Sequence, residues 1–240
     1  KSFLKAKKDK FNMPYYGRIS GYNIKRLERV ISDLYQSEAS VITSSGLSAI
    51  SISLLSQLSK DDEILVTENC YEPVYNFCKN ELVKFGIKTN FFKSNNLLNL
   101  KKNITKRTKL IYIESPGSLN YEIDQIEEIV NIAKEKKIIT LFDNTWATFL
   151  GFNPIKWGID IAIESCTKYF SGHSDTFCGA IACSKENYQK IKQTAVRMGD
   201  FVSSENCVLA IRGLRTLQSR LRTHQQNASE IFLFLKKKNV

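Results

Sequence analysis

The chain has 240 residues, 42% of them hydrophobic, and is long enough to bury a large core in one domain. No apolar run approaches the ~20 residues of a membrane helix, and the basic start KSFLKAKKDK lacks the apolar segment of a secretion signal. We therefore expect a cytoplasmic protein with no membrane partner. The net charge of +11 permits a nucleic-acid partner, but no recognisable nucleic-acid-binding motif surrounds the lysine clusters. A lysine-rich solvated surface without nucleic acid is the expectation.

Two amphipathic helices are predicted near the beginning of the chain. Apolar residues recur at helical spacing over 24–34, and again over 47–58 after the small-residue segment SSG at 44–46. Further helical patterns lie at 74–82 and 126–133, and from about Lys185 onward the pattern is helical throughout.

Five short, β-branched apolar runs lie between and around these later helices. They are 63–68, 109–115, 137–144, 159–165 and 179–184. Strands that alternate with helices indicate βαβ units, and continuous apolar strands indicate a sheet covered on both faces. The pattern predicts an α/β fold with a mostly parallel sheet flanked by helices.

In open α/β sheets, ligands bind beyond the carboxyl ends of the strands. The segments that follow the first four runs are NCYEP, PGS, DNTWA and SCTK, which contain an aromatic residue, an acid, hydroxyls and a lysine. We therefore expect the functional site at this edge of the sheet.

Lys168 lies among small and hydroxyl-bearing residues rather than among other charges. A lysine that attacks an aldehyde must lose its proton, which partial burial and a neighbouring cation favour. Ser165 and Thr167 beside it, and the SSG turn at the start of a helix, are suited to binding phosphate. Together these features fit pyridoxal phosphate (PLP). The alternatives are a loop lysine without a role and an ordinary helix cap.

Two further residues suit the same cofactor. Asp143 ends an apolar run, and opposite a pyridine nitrogen its carboxylate would keep that nitrogen protonated. Tyr71 could stack on the cofactor ring. The alternatives are a strand-end cap for Asp143 and a core position for Tyr71.

The sequence also resembles the PLP-dependent enzymes of cysteine and methionine metabolism (the trans-sulfuration enzymes), which have the aspartate-aminotransferase-like fold, called fold type I. Within that family it is most similar to the bacterial cystathionine β-lyases. The matching segments occur in the family's order over nearly the whole chain. They are YGR (16–18), SSGLSAI (44–50), YEP (71–73), ESPGS (114–118), DNTWA (143–147), TKYFSGHSD (167–175), MG (198–199) and GLRTLQSRL (213–221).

The resemblance implies catalytic roles for Lys168 and Tyr71. Lys168 would form the imine with PLP and shuttle the substrate proton, while Tyr71 would stack on the ring and assist the exchange between lysine and substrate. Asp143 would pair with the pyridinium.

Phosphate ligands are implied in two places. Ser45, the backbone of Gly46 and Leu47, and the hydroxyls of Ser165 and Thr167 would hold the phosphate from within the chain. Tyr16 and Arg18 would reach the phosphate of a neighbouring subunit. The resemblance therefore implies a homo-oligomer in which pairs of subunits form the active sites and the whole assembly is a tetramer.

The domain organisation implied by the family has three parts. Residues 1–22 would be a partial N-terminal arm, 23–225 the PLP-binding large domain, and 226–240 the start of a connection to a C-terminal small domain that this sequence lacks. The implied reaction cleaves cystathionine to homocysteine, pyruvate and ammonia in methionine biosynthesis. The alternatives are cystathionine γ-synthase or γ-lyase activity, cysteine desulfhydration, and a PLP-binding fragment with little activity.

The six cysteines are spread along the chain without a CxxC pair. Disulfide frameworks and zinc sites need tighter clustering, so we expect buried free thiols and no metal site.

Overall fold

The structure is a computed structural model that describes residues 2–11, 13, 15–118 and 120–238. Positions 1, 239 and 240, at the outer ends of the predicted arm and connection, lie outside the described residues, as do 12, 14 and 119. Seven strands form one sheet in the order β1-β7-β6-β5-β4-β2-β3. They are β1 (Ala39–Thr43), β2 (Glu63–Thr67), β3 (Lys88–Phe92), β4 (Thr108–Glu114), β5 (Ile139–Asp143), β6 (Ile161–Glu164) and β7 (Gly179–Cys183).

Ten α-helices accompany the sheet in the described part of the chain. They are α1 (Ser2–Lys8), α2 (Tyr22–Tyr35), α3 (Gly46–Gln57), α4 (Glu72–Asn76), α5 (Leu97–Asn103), α6 (Ile126–Lys136), α7 (Thr148–Gly151), α8 (Lys185–Met198), α9 (Ser204–Leu214) and α10 (Leu217–Lys237). A turn of π-helix (Phe77–Glu81) and a 3₁₀ turn (Leu82–Phe85) extend α4, and a second 3₁₀ turn covers Pro154–Trp157.

The predicted α/β fold is confirmed, and each of the five apolar runs contains a strand. The sheet is mixed, because β7 is antiparallel to both of its neighbours, β1 and β6, while the other pairs are parallel. Sequence reasoning missed β1 and β3, the two edge strands. β3 reads KTNFF and is only partly buried, so it lacks the continuous apolar run that marks an interior strand.

Helices cover both faces of the sheet, and successive strand residues point to opposite layers. On one face, Ile161 and Ile163 of β6 belong to a core that also contains residues of α3 and α8. On the other face, Ala162 packs in a core with residues of α2 and α9. A third core, between α6 and the strands β2, β4 and β5, continues this second face.

A buried ion pair joins α2 to α8. The Lys192 amine donates to Oε1 of Glu28 at 2.8 Å, and both side chains are almost fully buried. Lys25 donates to the other oxygen, Oε2, at 2.5 Å. Both oxygens of the buried carboxylate therefore have a cationic partner.

Removing Lys192 should leave Oε1 of the buried carboxylate without its cationic partner, while Lys25 still pairs with Oε2. We expect Lys192→Met to lower the free energy of unfolding by about 3 kcal/mol, measured by urea unfolding followed by circular dichroism. The matched control is Lys190→Met, which breaks the exposed pair with Glu186 and should cost roughly 0.5 kcal/mol or less. Equal unfolding midpoints for the two variants would contradict this assignment.

Candidate active site

The carboxyl ends of three neighbouring parallel strands meet at one edge of the sheet. β4 ends at Glu114 and β5 at Asp143, and the register pairs these two residues directly. β6 ends at Glu164, and the next four residues form the turn that carries Lys168. The parallel register therefore brings two carboxylates and the segment containing the lysine to the same place.

Lys168 extends from this turn toward Tyr71, which directly precedes α4. Its amine lies 5.2 Å from the centre of the Tyr71 ring, within range of a cation–π contact. The turn is held by hydrogen bonds from the Lys168 N–H to the Ser165 carbonyl (3.0 Å) and from the Gly172 N–H to the Lys168 carbonyl (2.8 Å). The structure thus brings Lys168 and Tyr71 together, and their catalytic roles stay predictions.

The structure leaves Lys168 open to solvent. Its side chain is exposed and borders an open cleft of about 470 Å³ that Phe177 and Arg220 also line. The lysine lies beyond the end of β6, beside Tyr71, which is itself 40% exposed.

Asp143 is a buried carboxylate at the end of β5. Its Oδ1 accepts the Thr145 N–H at 3.0 Å, and the Tyr112 hydroxyl donates to its Oδ2 at 3.4 Å. Burial raises the pKa of Asp143, while the Thr145 hydrogen bonds and the nearby charge of Lys168 oppose that shift. Among the described residues, no lysine or arginine forms an ion pair with it.

Glu114 joins this cluster, although sequence reasoning gave it no role. Its Oε2 accepts the Tyr71 N–H at 2.7 Å, and its Oε1 accepts the Ser118 hydroxyl at 2.6 Å. Burial, followed by the charge of Asp143, raises the pKa of Glu114 to about 7. The sequence did contain a signal for Glu114. It is an acid near the end of the predicted strand 109–115, in the segment ESPGS, and the next predicted strand along the chain contains Asp143.

The predicted phosphate-binding turn lies at the start of α3. Ser45 caps the helix, because its hydroxyl accepts the Ser48 N–H at 3.1 Å, and the N–H groups of the first turn point away from the helix body. A β-carbon on Gly46 would come within 2.7 Å of Cβ and 2.8 Å of Oγ of Ser165. The start of α3 therefore packs directly against the turn that precedes Lys168, and Gly46 permits that approach.

Thr167 is oriented differently from its neighbour Ser165. Its hydroxyl accepts the Cys178 N–H at 3.2 Å and donates to the Cys178 carbonyl at 3.3 Å. In this structure the Thr167 hydroxyl holds its own turn against the segment that leads into β7. Its role as a phosphate ligand stays a prediction.

Asp200, directly after α8, also contacts the SSG turn and was not singled out from the sequence. Its carboxylate accepts the N–H and hydroxyl of Ser44 and the hydroxyl of Ser48. No local sequence pattern indicates this contact, because Asp200 lies more than 150 residues from the turn.

The structure does not place Tyr16 and Arg18 in hydrogen-bond contact with the strand-end cluster. Arg18 donates to the carbonyl of Val196 in α8 at 2.8 Å, and its guanidinium lies 5.8 Å from the ring centre of Tyr16. Tyr16 is 58% exposed. Their predicted reach to a neighbouring subunit stays a prediction.

The cysteines are buried free thiols, as predicted; they are Cys70, Cys78, Cys166, Cys178, Cys183 and Cys207. Among the described helices, none has the length and hydropathy that crossing a membrane requires.

Comparison with known proteins identifies the family. The sequence profile described as "Cys/Met metabolism PLP-dependent enzyme" matches residues 2–240. The chain belongs to this family. Members of this family depend on PLP, so the predicted family and cofactor are both confirmed.

Several relatives are similar over most of the chain. The chain is 36% identical to an L-alanine/L-glutamate racemase of Wolbachia pipientis wMel over 92% of its own length and 55% of the relative's. It is 31% identical to a cystathionine β-lyase of Escherichia coli strain K12 over 90% of its length and 55% of that protein. The chain therefore spans little more than half the length of these curated relatives.

Solved structures confirm the type I fold. A cystathionine γ-lyase from Lactobacillus plantarum complexed with L-serine matches with a TM-score of 0.90 and 28% identity, over 94% of this chain and 59% of that one. A cystathionine γ-synthase from Xanthomonas oryzae pv. oryzae in complex with aminoacrylate and cysteine matches with a TM-score of 0.90 and 29% identity, over 92% and 58%.

The residues at the strand edge fit PLP. Asp143 is a buried carboxylate that forms no ion pair with any described residue, and a protonated pyridine would supply a cationic partner. The helix start at Gly46, pressed against Ser165, offers backbone N–H groups to an anion. Lys168 carries an amine beside the aromatic ring of Tyr71.

Filling the space at Gly46 should damage the phosphate end of this site. We expect Gly46→Ala to weaken PLP binding by about tenfold or more, because the new methyl group must displace Ser165 or the first turn of α3. The dissociation constant would be measured by absorbance titration. Gly151→Ala is the control, since its β-carbon would meet Ala147 at an ordinary 3.4 Å. Unchanged affinity in Gly46→Ala would show that this turn does not hold the cofactor.

Proposed function

We propose that the protein is a PLP-dependent carbon–sulfur β-lyase that cleaves cystathionine to homocysteine, pyruvate and ammonia. The observation that carries the proposal is the position of Lys168, beside the Tyr71 ring and close enough to Asp143 to oppose its pKa shift, in a PLP-dependent family. A named cystathionine β-lyase among the relatives supports the choice of reaction.

Some residues of the chain would take part in the chemistry, and others would position the cofactor. When bound, PLP supplies an electron sink for the negative charge that develops at the substrate Cα. Asp143 holds the proton on the pyridine nitrogen, which maintains that capacity. Lys168 anchors the cofactor through Nζ, and the same nitrogen, once released, takes the Cα proton as a general base. Tyr71 keeps the aromatic plane in position.

Phosphate binding would fix the other end of the cofactor. The N–H groups of Gly46 and Leu47 are at the positive end of α3, and the hydroxyls of Ser45, Ser165 and Thr167 are candidate donors. We further propose that the protein acts as a homo-oligomer in which Tyr16 and Arg18 contact the phosphate of the neighbouring subunit. Arg suits that contact because its planar guanidinium can donate to two oxygens.

A second candidate reaction is amino-acid racemisation, because the chain is 36% identical to an L-alanine/L-glutamate racemase. Both reactions begin with removal of the Cα proton, which the proposal assigns to Lys168. They differ in the next step, since a lyase expels the β-thiolate and a racemase returns a proton to Cα. The γ-lyase and γ-synthase of similar structure represent the other outcomes within the family.

Removing the Lys168 amine should abolish cofactor attachment. After incubation with PLP and borohydride reduction, the wild-type chain should gain the mass of one reduced cofactor at residue 168, and Lys168→Ala should gain none. Turnover should fall by about 10² to 10⁴-fold, because a general base is lost. Lys156→Ala, at an exposed lysine outside the cluster, is the control. Equal labelling of Lys168→Ala and wild type would rule out the assigned role.

The products would distinguish the reactions. With L-cystathionine we expect pyruvate and homocysteine; 2-oxobutyrate instead would indicate γ-elimination. With L-alanine in deuterated water, formation of deuterated D-alanine would favour the racemase. A wild-type chain that attaches PLP but yields pyruvate from neither cystathionine nor cysteine would contradict the β-lyase proposal while leaving the cofactor site intact.

A further inference from the structure

Glu114 and Asp143 form a pair of carboxyl groups at the end of β4 and β5. The strand register places them side by side on the same face of the sheet. The Tyr112 hydroxyl lies 3.5 Å from Oε2 of Glu114 and 3.4 Å from Oδ2 of Asp143. Because like charges disfavour each other, the charge of Asp143 raises the pKa of Glu114.

Glu114 also connects the loop that contains Tyr71 to the loop that follows β4. It accepts the Tyr71 N–H through Oε2 and the Ser118 hydroxyl through Oε1. The same loops are joined a second time, because the Ser118 N–H donates to the Asn69 carbonyl at 2.9 Å. A β-carbon on Gly117 would come within 2.1 Å of the Asn69 side chain, so the contact between the loops is close.

Tyr71 is the residue directly before α4, and its ring lies beside the Lys168 amine. A carboxylate accepts an N–H more strongly than a neutral acid does, because the hydrogen bond is charge-assisted. The proton on Glu114 therefore affects how firmly the backbone of Tyr71 is held.

We propose that Glu114 is a positioning residue that fixes Tyr71 beside Lys168, and that it holds Tyr71 more firmly when it is ionised than when it is protonated. This inference rests on the proposed function in one respect, since it takes Tyr71 and Lys168 as the catalytic groups. Glu114 acts through the backbone of Tyr71 and needs no contact with the substrate.

The groups that face Glu114 determine the pH at which this change occurs. Burial and the charge of Asp143 raise its pKa to about 7, whereas the Ser118 hydroxyl, the Tyr71 N–H and the charge of Lys168 oppose the shift. Tyr112 and Cys70 also face it, but burial raises the pKa of each, so both are neutral near pH 7. Protonation of Glu114 thus changes near neutral pH, and the hold on Tyr71 strengthens as the pH rises.

The first test measures the carboxyl group directly in the purified chain without added PLP. In a chain labelled with ¹³C at the glutamate carboxyls, the signal absent from Glu114→Gln belongs to Glu114. We expect a titration midpoint near 7 for Glu114, with Glu122→Gln, which removes an exposed glutamate of the same loop, as the assignment control. Ser118→Ala should move the Glu114 midpoint upward, because it removes a hydrogen bond that favours the carboxylate. If the wild-type Glu114 midpoint lies below about 5, Glu114 does not change its protonation near neutral pH, and the proposed pH dependence is wrong.

The second test follows the hydrogen bond to Tyr71. The exchange rate of the Tyr71 amide hydrogen, corrected for its intrinsic pH dependence, would be measured in a ¹⁵N-tyrosine-labelled chain, with Tyr71→Phe used for assignment. In the wild type and Glu122→Gln, protection should increase as the pH rises through the Glu114 midpoint. In Glu114→Gln, whose amide oxygen still accepts, protection should remain but become independent of pH. Glu114→Ala should exchange about tenfold faster or more, as expected for loss of a charge-assisted hydrogen bond.

The experiments can disprove the positioning role of Glu114 and the proposed function independently of each other. If Glu114→Gln retains the wild-type pH dependence of Tyr71 exchange, the positioning role of Glu114 is wrong, whatever happens to PLP. If PLP does not attach to Lys168, the proposed function fails, while the carboxyl titration and amide exchange still report on Glu114. If Glu114→Ala does not fold, the wild type and Glu114→Gln decide the result.

Discussion

The parallel register of β4, β5 and β6 is the constraint on which the site depends. Each of these strands ends at an acidic residue, and the next segment of chain begins at the same edge of the sheet. Because side chains alternate between the faces of a sheet, a slip of one residue would move Asp143 to the opposite layer. The hydrophobic residues of the strands, packed in separate cores on the two faces, prevent that slip.

The two faces use their acidic residues differently. On one face, Glu114 and Asp143 lie near Lys168 and Tyr71. On the opposite face, Glu164 accepts the hydroxyl of Tyr35 from α2 at 2.6 Å, and burial strongly raises the pKa of both groups. Glu164 is thus part of the packing between α2 and the sheet, whereas Glu114 and Asp143 lie at the edge where the Lys168 amine is exposed.

The turn predicted to bind phosphate depends on contacts between distant parts of the chain. Asp200 holds the SSG turn from the end of α8, and Ser165 lies against Gly46 from the end of β6. α3 also packs on α8. The orientation of the helix terminus is therefore a property of the packed layers, even though the small residues that permit it are adjacent in sequence.

The sequence by itself determined the fold class, the interior strands and most of the candidate site residues. Apolar runs identify buried strands because burial on both faces demands them, and the ordered motifs around Asp143 and Lys168 indicate the family. It did not reveal β1 or β3, because edge strands need no continuous apolar run. It also did not indicate the exposure of Lys168, the bond from Glu114 to Tyr71 or the contact of Asp200 with Ser44. These were decided by the tertiary structure alone, since solvent exposure, proton affinity and hydrogen bonding over long chain separations depend on which elements pack together, and no local pattern encodes that.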